Sequence, residues 1–193
     1  MDDERHAILE LAKGKFTTDP KAHSGMGIFF SSRSCDRFSI LSRRIYFKHS
    51  ATHGDWLLDE LDEETEGTHV TMVIDLDTGR RLNEVWKEGS APNYRGFTRT
   101  TIPVVVAQYG DENLISRSQA KRVLTRVEKF KEVMFDFSGV EMIGQAFADE
   151  IFRVFASEHP DVRLIPVLAN PEVQAMIDLA LQAREPTAVA GKD

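Results

Sequence analysis

The sequence predicts an α/β protein in two segments, and three observations carry that expectation. Gly25 and Gly27 bracket a turn that opens an apolar helix early in the chain. Short strand-like pieces divided by polar loops follow, as in a mostly antiparallel sheet. Beyond residue 97 the rhythm changes to strands alternating with stretches of helical period, as in a layer of helices on a sheet. With 193 residues, the chain can bury one large core or two small ones.

The first element is a helix over residues 2–13. Asp2, Asp3 and Glu4 complement its dipole, Ile8, Leu11 and Ala12 form its apolar stripe, and Lys13 with Gly14 stops it. A polar stretch leads into the helix at residues 25–35. Strands are expected at Phe38-Ser-Ile-Leu, Arg44-Ile-Tyr-Phe, Trp56-Leu-Leu and His69-Val-Thr-Met-Val-Ile. Residues 55–66 hold seven acids (Asp55, Asp59, Glu60, Asp62, Glu63, Glu64, Glu66) and are expected as a solvated hairpin tip, with a cation site as the alternative. Residues 89–96, with Pro92, read as a linker. The segments are therefore residues 1–90 and 91–184.

In the second segment Pro103-Val-Val-Val-Ala is expected as a buried strand, and Ala120, Val123, Leu124 and Val127 as a helix face. Val133-Met-Phe-Asp-Phe is the next strand, and Phe147, Ile151, Val154 and Phe155 stripe the next helix. After the strand Leu164-Ile-Pro-Val-Leu, Asn170-Pro-Glu opens a helix faced by Val173, Ile177, Ala180 and Leu181. Residues 185–193 are expected to fray. No internal repeat is visible.

The net charge of −7 argues against a chain that seeks nucleic acid as a whole. A single cysteine, Cys35, excludes a disulfide within the chain and suits a reducing cytoplasm. The start, Met-Asp-Asp-Glu-Arg-His, lacks the marks of a signal peptide, and no apolar run approaches the ~20 residues of a membrane span. A cytoplasmic protein without membrane contact is expected.

The richest motif is His23-Ser-Gly-Met-Gly-Ile-Phe-Phe. Close glycines at a helix start let backbone N–H groups approach an anion, and the dipole favours negative charge there. A plain turn before a buried helix accounts for it nearly as well. With Gly67-Thr68 before an apolar strand, this motif makes residues 7–76 similar to the C-terminal part of the GHKL ATPase fold, shared by histidine kinases, gyrase-type ATPases and anti-sigma kinases. That resemblance implies a partial Bergerat-type α/β sandwich. Ser24, Gly25, Met26, Gly27 and Ile28 then stand at the glycine box that ends the ATP lid, and Gly67 and Thr68 near the adenine. Residues 97–182 resemble the STAS-like domain of unknown function that follows such ATPase domains in bacterial and archaeal regulators, a βαβαβα layer. Its carriers are Ser116-Arg-Ser-Gln-Ala-Lys-Arg and Phe135-Asp-Phe-Ser-Gly-Val-Glu-Met-Ile-Gly-Gln-Ala-Phe-Ala-Asp-Glu.

Departures from both patterns bear on the chemistry. The Glu/Asn helix that positions water and magnesium in the ATPase fold, and its Asp-x-Gly-x-Gly adenine loop, are not in this sequence. Phosphoryl transfer depends on positioning and metal charge, so no catalytic residue is assigned and no cofactor is required by this chain alone. ATP with magnesium remains open if upstream residues or a partner chain complete the site. At the corner where STAS antagonists carry a phosphorylatable serine, this chain reads Ile143-Gly-Gln-Ala-Phe, and neither Gln145 nor Ala146 accepts phosphate.

His49 and His53 are four apart, in loop-like context with no third ligand evident beyond Asp55. Cys35 reads as a small buried residue, and Ser138 lacks a nucleophile elbow. Arg117, Lys121, Arg122, Arg126, Lys129 and Lys131 form a basic stripe with like charges four apart. It suits an acidic partner or a nucleic-acid backbone, without aromatic stacking platforms, or it is a solvated face met by the acidic run of residues 55–66. The partner surface expected is Gln145, Asp149 and Glu150 on an exposed helix face, with Arg122 and Arg126. The reading is a cytoplasmic regulator acting by protein–protein contact of the partner-switching type. An ATP-binding kinase or ATPase and a nucleic-acid-associated regulator are the alternatives. An unpaired sheet edge with exposed apolar surface around Phe29 and Phe30 leaves a homodimer open.

Overall fold

In the computed structural model, which describes residues 4–19, 21–50, 55–108 and 113–183, helices and strands alternate through a mixed α/β architecture. Helix α1 (Glu4–Lys13) ends at Gly14, whose φ of +81° lets its N–H return to the carbonyls of Glu10 and Leu11, each at 3.2 Å. Helix α2 (Gly27–Ser34) packs beside it. Strands β1 (Arg37–Ser50) and β2 (Asp55–Val73) then form an antiparallel two-stranded sheet.

Four short strands were expected where two long ones stand. The register shifts at Arg43, which has a φ of +54°, and on the facing strand at Gly67, which has a φ of +78°. Such bulges break the two-residue alternation, so the sequence looks fragmented where the ladder resumes. The acidic run lies along β2 itself, which corrects its assignment to a hairpin tip. The chain reversal, residues 51–54, lies outside the described residues.

Helix α3 (Leu82–Glu88) was not foreseen. It buries Val85 and stacks Trp86 on Phe30, ring centroids 4.0 Å apart. The stretch expected as a linker is a packed turn: Ala91 is buried and the Gly89 carbonyl accepts from the Thr98 and Arg99 N–H groups, both at 2.9 Å.

Strands β3 (Arg99–Pro103), β4 (Glu132–Asp136) and β5 (Arg163–Val167) form a parallel sheet in that order. Val104–Ala107 is a 3-10 turn, not the strand expected, although Val104 and Val106 are buried all the same. A short apolar run fits a buried strand or a buried helical turn equally well. Helix α4 (Arg117–Leu124) starts with a capping box, in which Ser116 Oγ accepts from the Gln119 N–H and Gln119 Oε1 accepts from the Ser116 N–H. Arg126, with a φ of +62°, ends it, and Val127 is buried from the following 3-10 turn.

Helix α5 (Gln145–Asp149) widens into a π-helix over Glu150–Phe155 and closes as α6 (Ala156–Glu158). Buried positions therefore advance by fours, through Phe147, Ile151, Phe155 and through Ala148, Phe152, Ala156, and Val154 leaves the expected stripe. Helix α7 (Pro171–Gln182) is capped by Asn170, whose side-chain oxygen accepts from the Val173 N–H at 2.9 Å. The frayed tail expected for residues 185–193 lies outside the described residues.

Buried apolar residues of both segments join one cluster, from Ile8, Leu9 and Phe29 to Val123, Phe135, Phe147 and Ile177. Phe97 links them, 4.4 Å from the Phe29 ring and 5.4 Å from the Phe130 ring. Two buried cations reinforce the seam. Lys13 Nζ pairs with Glu10 and donates to the Thr125 carbonyl at 2.9 Å, while the Lys13 carbonyl accepts from Thr100 Oγ1 at 2.6 Å. Arg33 donates to the Thr101 carbonyl at 3.1 Å and lies 3.7 Å over the Phe29 ring. Burial pushes its guanidinium down to about 9, so it stays charged at neutral pH.

Candidate functional site

Where Phe38 and Ile40 pair with Met72 and Val70, the helix layer covers β1 and leaves β2 open. On that face Phe38 and Ile40 of β1 are buried beneath α1 and α2, whereas their cross-strand partners Met72 and Val70 of β2 are exposed. The uncovered part is a groove of about 420 Å³ floored by Ala7, Ile8 and Leu11 of α1, Ile28 of α2, Ile40 and Ile45 of β1 and Val70 of β2. Ser42, Arg43 and Thr68 form its polar rim. Among the described residues no carboxylate lines it, and Arg43, the one charged residue among them, faces Glu64 at 3.5 Å.

The residues expected around a nucleotide are placed as follows. Ile28 and Thr68 meet at this groove. Gly25 has a φ of +69°, and a Cβ there would lie 2.6 Å from the Phe16 backbone, so chain packing alone demands glycine. Met26 occupies the N-cap of α2 without a side-chain cap, and Gly27 faces open space. Ser24 is exposed. Gly67 belongs to the bulge, and the Thr68 hydroxyl is hydrogen-bonded to that of Ser42 at 2.9 Å.

A second surface lies on the loops after β3, β4 and β5, at the carboxyl end of the parallel sheet, where Ile115, Met142 and Leu168 are exposed. Leu114 and Ile143 bridge there, and the Gly144 N–H donates to the Leu114 carbonyl at 2.8 Å. Asn170 ties the β5 loop to the β4 loop through the Val140 and Glu141 carbonyls, at 3.0 and 2.7 Å. Gln145 is exposed at this corner.

Asp149 and Glu150 do not form the open face expected of them. The π-helix turns them toward α4: Glu150 is buried with Arg117 at 3.9 Å and Lys121 at 3.7 Å, and Asp149 meets Arg117 at 3.3 Å. The hydrogen bond from Arg153, then the Arg153 and Arg117 charges, hold the Asp149 carboxyl below its ordinary range. Arg117 and Lys121 of the basic stripe are thus met by these acids. Arg126 faces Glu10 at 3.8 Å, and Lys131 faces Asp161 at 2.6 Å. Arg122 and Arg126 are not neighbours on one helix, because Arg126 lies past the end of α4. Arg122 is half-buried.

Phe29 is 2% exposed, which corrects its placement on an exposed apolar surface; that surface lies on β2 instead. His49 is buried at the end of β1, and His53 lies outside the described residues. Among the described residues no group of histidine, cysteine and acid side chains could hold a metal. Burial pushes the Cys35 thiol up, away from thiolate chemistry. Ser138 donates to Asp136 Oδ1 at 2.6 Å within its own turn. The sequence reading missed Lys13, taken as a helix stop, and Arg33. A charged residue in phase with an apolar stripe was the available signal for both.

Residues 119–174 match the family described as a STAS-like domain of unknown function (DUF4325). This STAS-like stretch runs from α4 into the first turn of α7 and contains the Gly144 corner, the Asp149–Glu150 pair and the Asn170 cap. A ribonuclease Y of Acetivibrio thermocellus is 28% identical over 130 residues, 65% of this chain and 22% of that protein. The chain therefore spans about a fifth of the length of this relative. No solved structure matches. Among the described residues no helix is long and apolar enough to cross a membrane.

Proposed function

We propose that this chain is a regulatory protein that works by contact with a protein partner, in the manner of partner-switching modules, and that its STAS-like layer is the frame for that contact. One observation carries the reading: an apolar groove and a half-covered sheet face are joined to that layer by a shared core. Apolar concavity without convergent charge suits side chains of another protein better than a polar substrate.

ATP with magnesium is the cofactor implied by the first segment's resemblance to a GHKL ATPase, and the groove does not fit it. Among the described residues its lining offers no carboxylate to a metal or to an adenine amino group, and the Thr68 hydroxyl is engaged by Ser42. Titration with a fluorescent adenine nucleotide and magnesium should give no saturable signal in the micromolar range. Tight, metal-dependent binding by this chain would transfer it to the enzyme reading. The positive test is a complex rebuilt from purified chain and purified partner. It should weaken on Met142→Asp at the corner or Met72→Lys at the sheet, and indifference to both sinks the proposal.

The name of the relative, ribonuclease Y, keeps a reading linked to RNA in view. Against it, Arg117, Lys121, Arg126 and Lys131 are committed to acids of the same chain. A mobility shift at low salt that vanishes on neutralising Arg122 and Arg126 is the result that favours it.

A further inference from the structure

The geometry points to strand addition at the free edge of β2: a partner's extended segment, apolar in one half and basic in the other, completes the sheet and fills the groove. This rests on the protein-contact reading above and names the partner's chemistry. Within the described residues β2 pairs on one side only, with β1. The other side of residues 68–73 therefore carries backbone donors and acceptors that a strand satisfies and a helix does not. Val70, Met72 and the following Ile74 are 49, 59 and 63% exposed, an alternating apolar row at this edge. Ile40 and Ser42 of β1 pair with Val70 and Thr68, and all four line the groove. A strand beside β2 would send alternate side chains onto the same face.

Charge decides which strand. Asp62, Glu63, Glu64 and Glu66 are exposed on β2 just before the apolar row, and among the ion pairs between described residues Glu64 is the one of these four that faces a cation, Arg43. An incoming segment therefore needs lysine or arginine opposite residues 62–66 and apolar side chains opposite 68–73. A second copy of this chain answers poorly. Two β2 strands related by a two-fold axis through the acidic stretch set Glu64 against Glu66. An axis through the apolar row pairs only the few residues about Thr71 before β2 ends at Val73 and leaves residues 62–66 unanswered. Each copy also carries a net charge of −7.

The test uses the full chain and two short peptides, each valine-rich in one half, the other half carrying lysines in one peptide and glutamates in the other, with hydrogen exchange as the structural readout. The lysine peptide should bind about ten-fold tighter than the glutamate peptide, and it should slow exchange of amides within residues 68–73 by about ten-fold or more. Val70→Lys with Met72→Lys should abolish that protection while circular dichroism and melting stay unchanged, because both residues are already exposed. Asp62→Lys with Glu66→Lys should reverse the peptide preference. Equal binding of the two peptides, protection elsewhere, or preference unmoved by the charge reversal overturns the assignment. So does concentration-dependent dimerisation that protects the same amides, since a second copy is then the occupant. If a rebuilt partner complex responds to Met142→Asp but not to Val70→Lys and Met72→Lys, strand addition falls and the protein-contact reading stands.

Discussion

Glu10→Ala should be among the costliest single changes outside the apolar core, and its cost should fall as pH rises. The Lys13 side chain is 1% exposed and has two partners, the Glu10 carboxylate and the Thr125 carbonyl. Removing Glu10 leaves a buried ammonium with one neutral acceptor, a loss of about 3–5 kcal/mol. The lysine can escape by giving up its proton, and that sets a ceiling. Keeping the amine neutral costs about 1.4 kcal/mol for each pH unit below 10.5, hence about 5 kcal/mol at pH 7 and about 2 at pH 9. The sign follows from burial, which lowers the Lys13 pKa in the fold. Between that lowered value and 10.5 the unfolded chain binds more protons, so stability rises with pH across that window. Urea unfolding at pH 7 and pH 9, read by circular dichroism and by intrinsic fluorescence, measures both effects. Lys13→Met in the Glu10→Ala background should recover stability to within about 1 kcal/mol of the parent, since it removes the stranded charge. A cost below about 1 kcal/mol at pH 7, or no rescue by methionine, would refute the buried pair. The two optical transitions should shift together, because the cluster that Lys13 borders is continuous through both segments.

Gly25→Ala should destabilise by about 2 kcal/mol or more, through its positive φ and the approach to the Phe16 backbone, whereas Gly27→Ala should be neutral or gain up to about 1 kcal/mol. Thermal melts of the pair check that glycine at 25 serves packing. Phe29→Asp should cost about 4 kcal/mol, while Met72→Asp should stay within about 0.5 kcal/mol, again by urea midpoint. Asp149, whose carboxyl is held low by Arg153, adds stability above its ordinary value of 3.8 that is lost as pH falls through the lowered one. Asp149→Asn should therefore close the gap to the parent chain in acid and open it at neutral pH.

The second segment was the more legible in sequence because its signals are local. Asn170 and Pro171 mark a helix start whatever surrounds them, and the α4 face of Ala120, Val123 and Leu124 follows helical period. The misses come from backbone irregularity and from long-range pairing. Arg43 in a left-handed conformation and the bulge at Gly67 cut two strands into four apparent ones. The π turn at Glu150 rotates two acids into the α4 interface, and no periodicity of 3.6 announces it. At the candidate site, Ile28 and Thr68 were named for a nucleotide from a resemblance. That they share a groove follows from the packing of α2 on the hairpin. The half-covered face of β2 was invisible to a one-dimensional reading, because Val70 and Met72 look like core until the helix layer is seen to end at β1.

Helix α1 explains why the groove can act as a receptor at all. Ala7, Ile8 and Leu11 floor the groove, while Glu10 and Lys13 lock into the seam, with Thr125 and Arg126 on the far side. A helix of ten residues cannot slide on one face while held on the other, since a shift large enough to reshape the floor also breaks the Lys13 hydrogen bond to the Thr125 carbonyl and parts Glu10 from Arg126. The groove is therefore preorganised, and an occupant gives up little free energy to remodel it. Backbone exchange in α1 should accordingly remain as slow with the valine–lysine peptide bound as without it. Faster exchange on binding would mean that α1 yields, and with it the claim that the seam holds the receptor in shape.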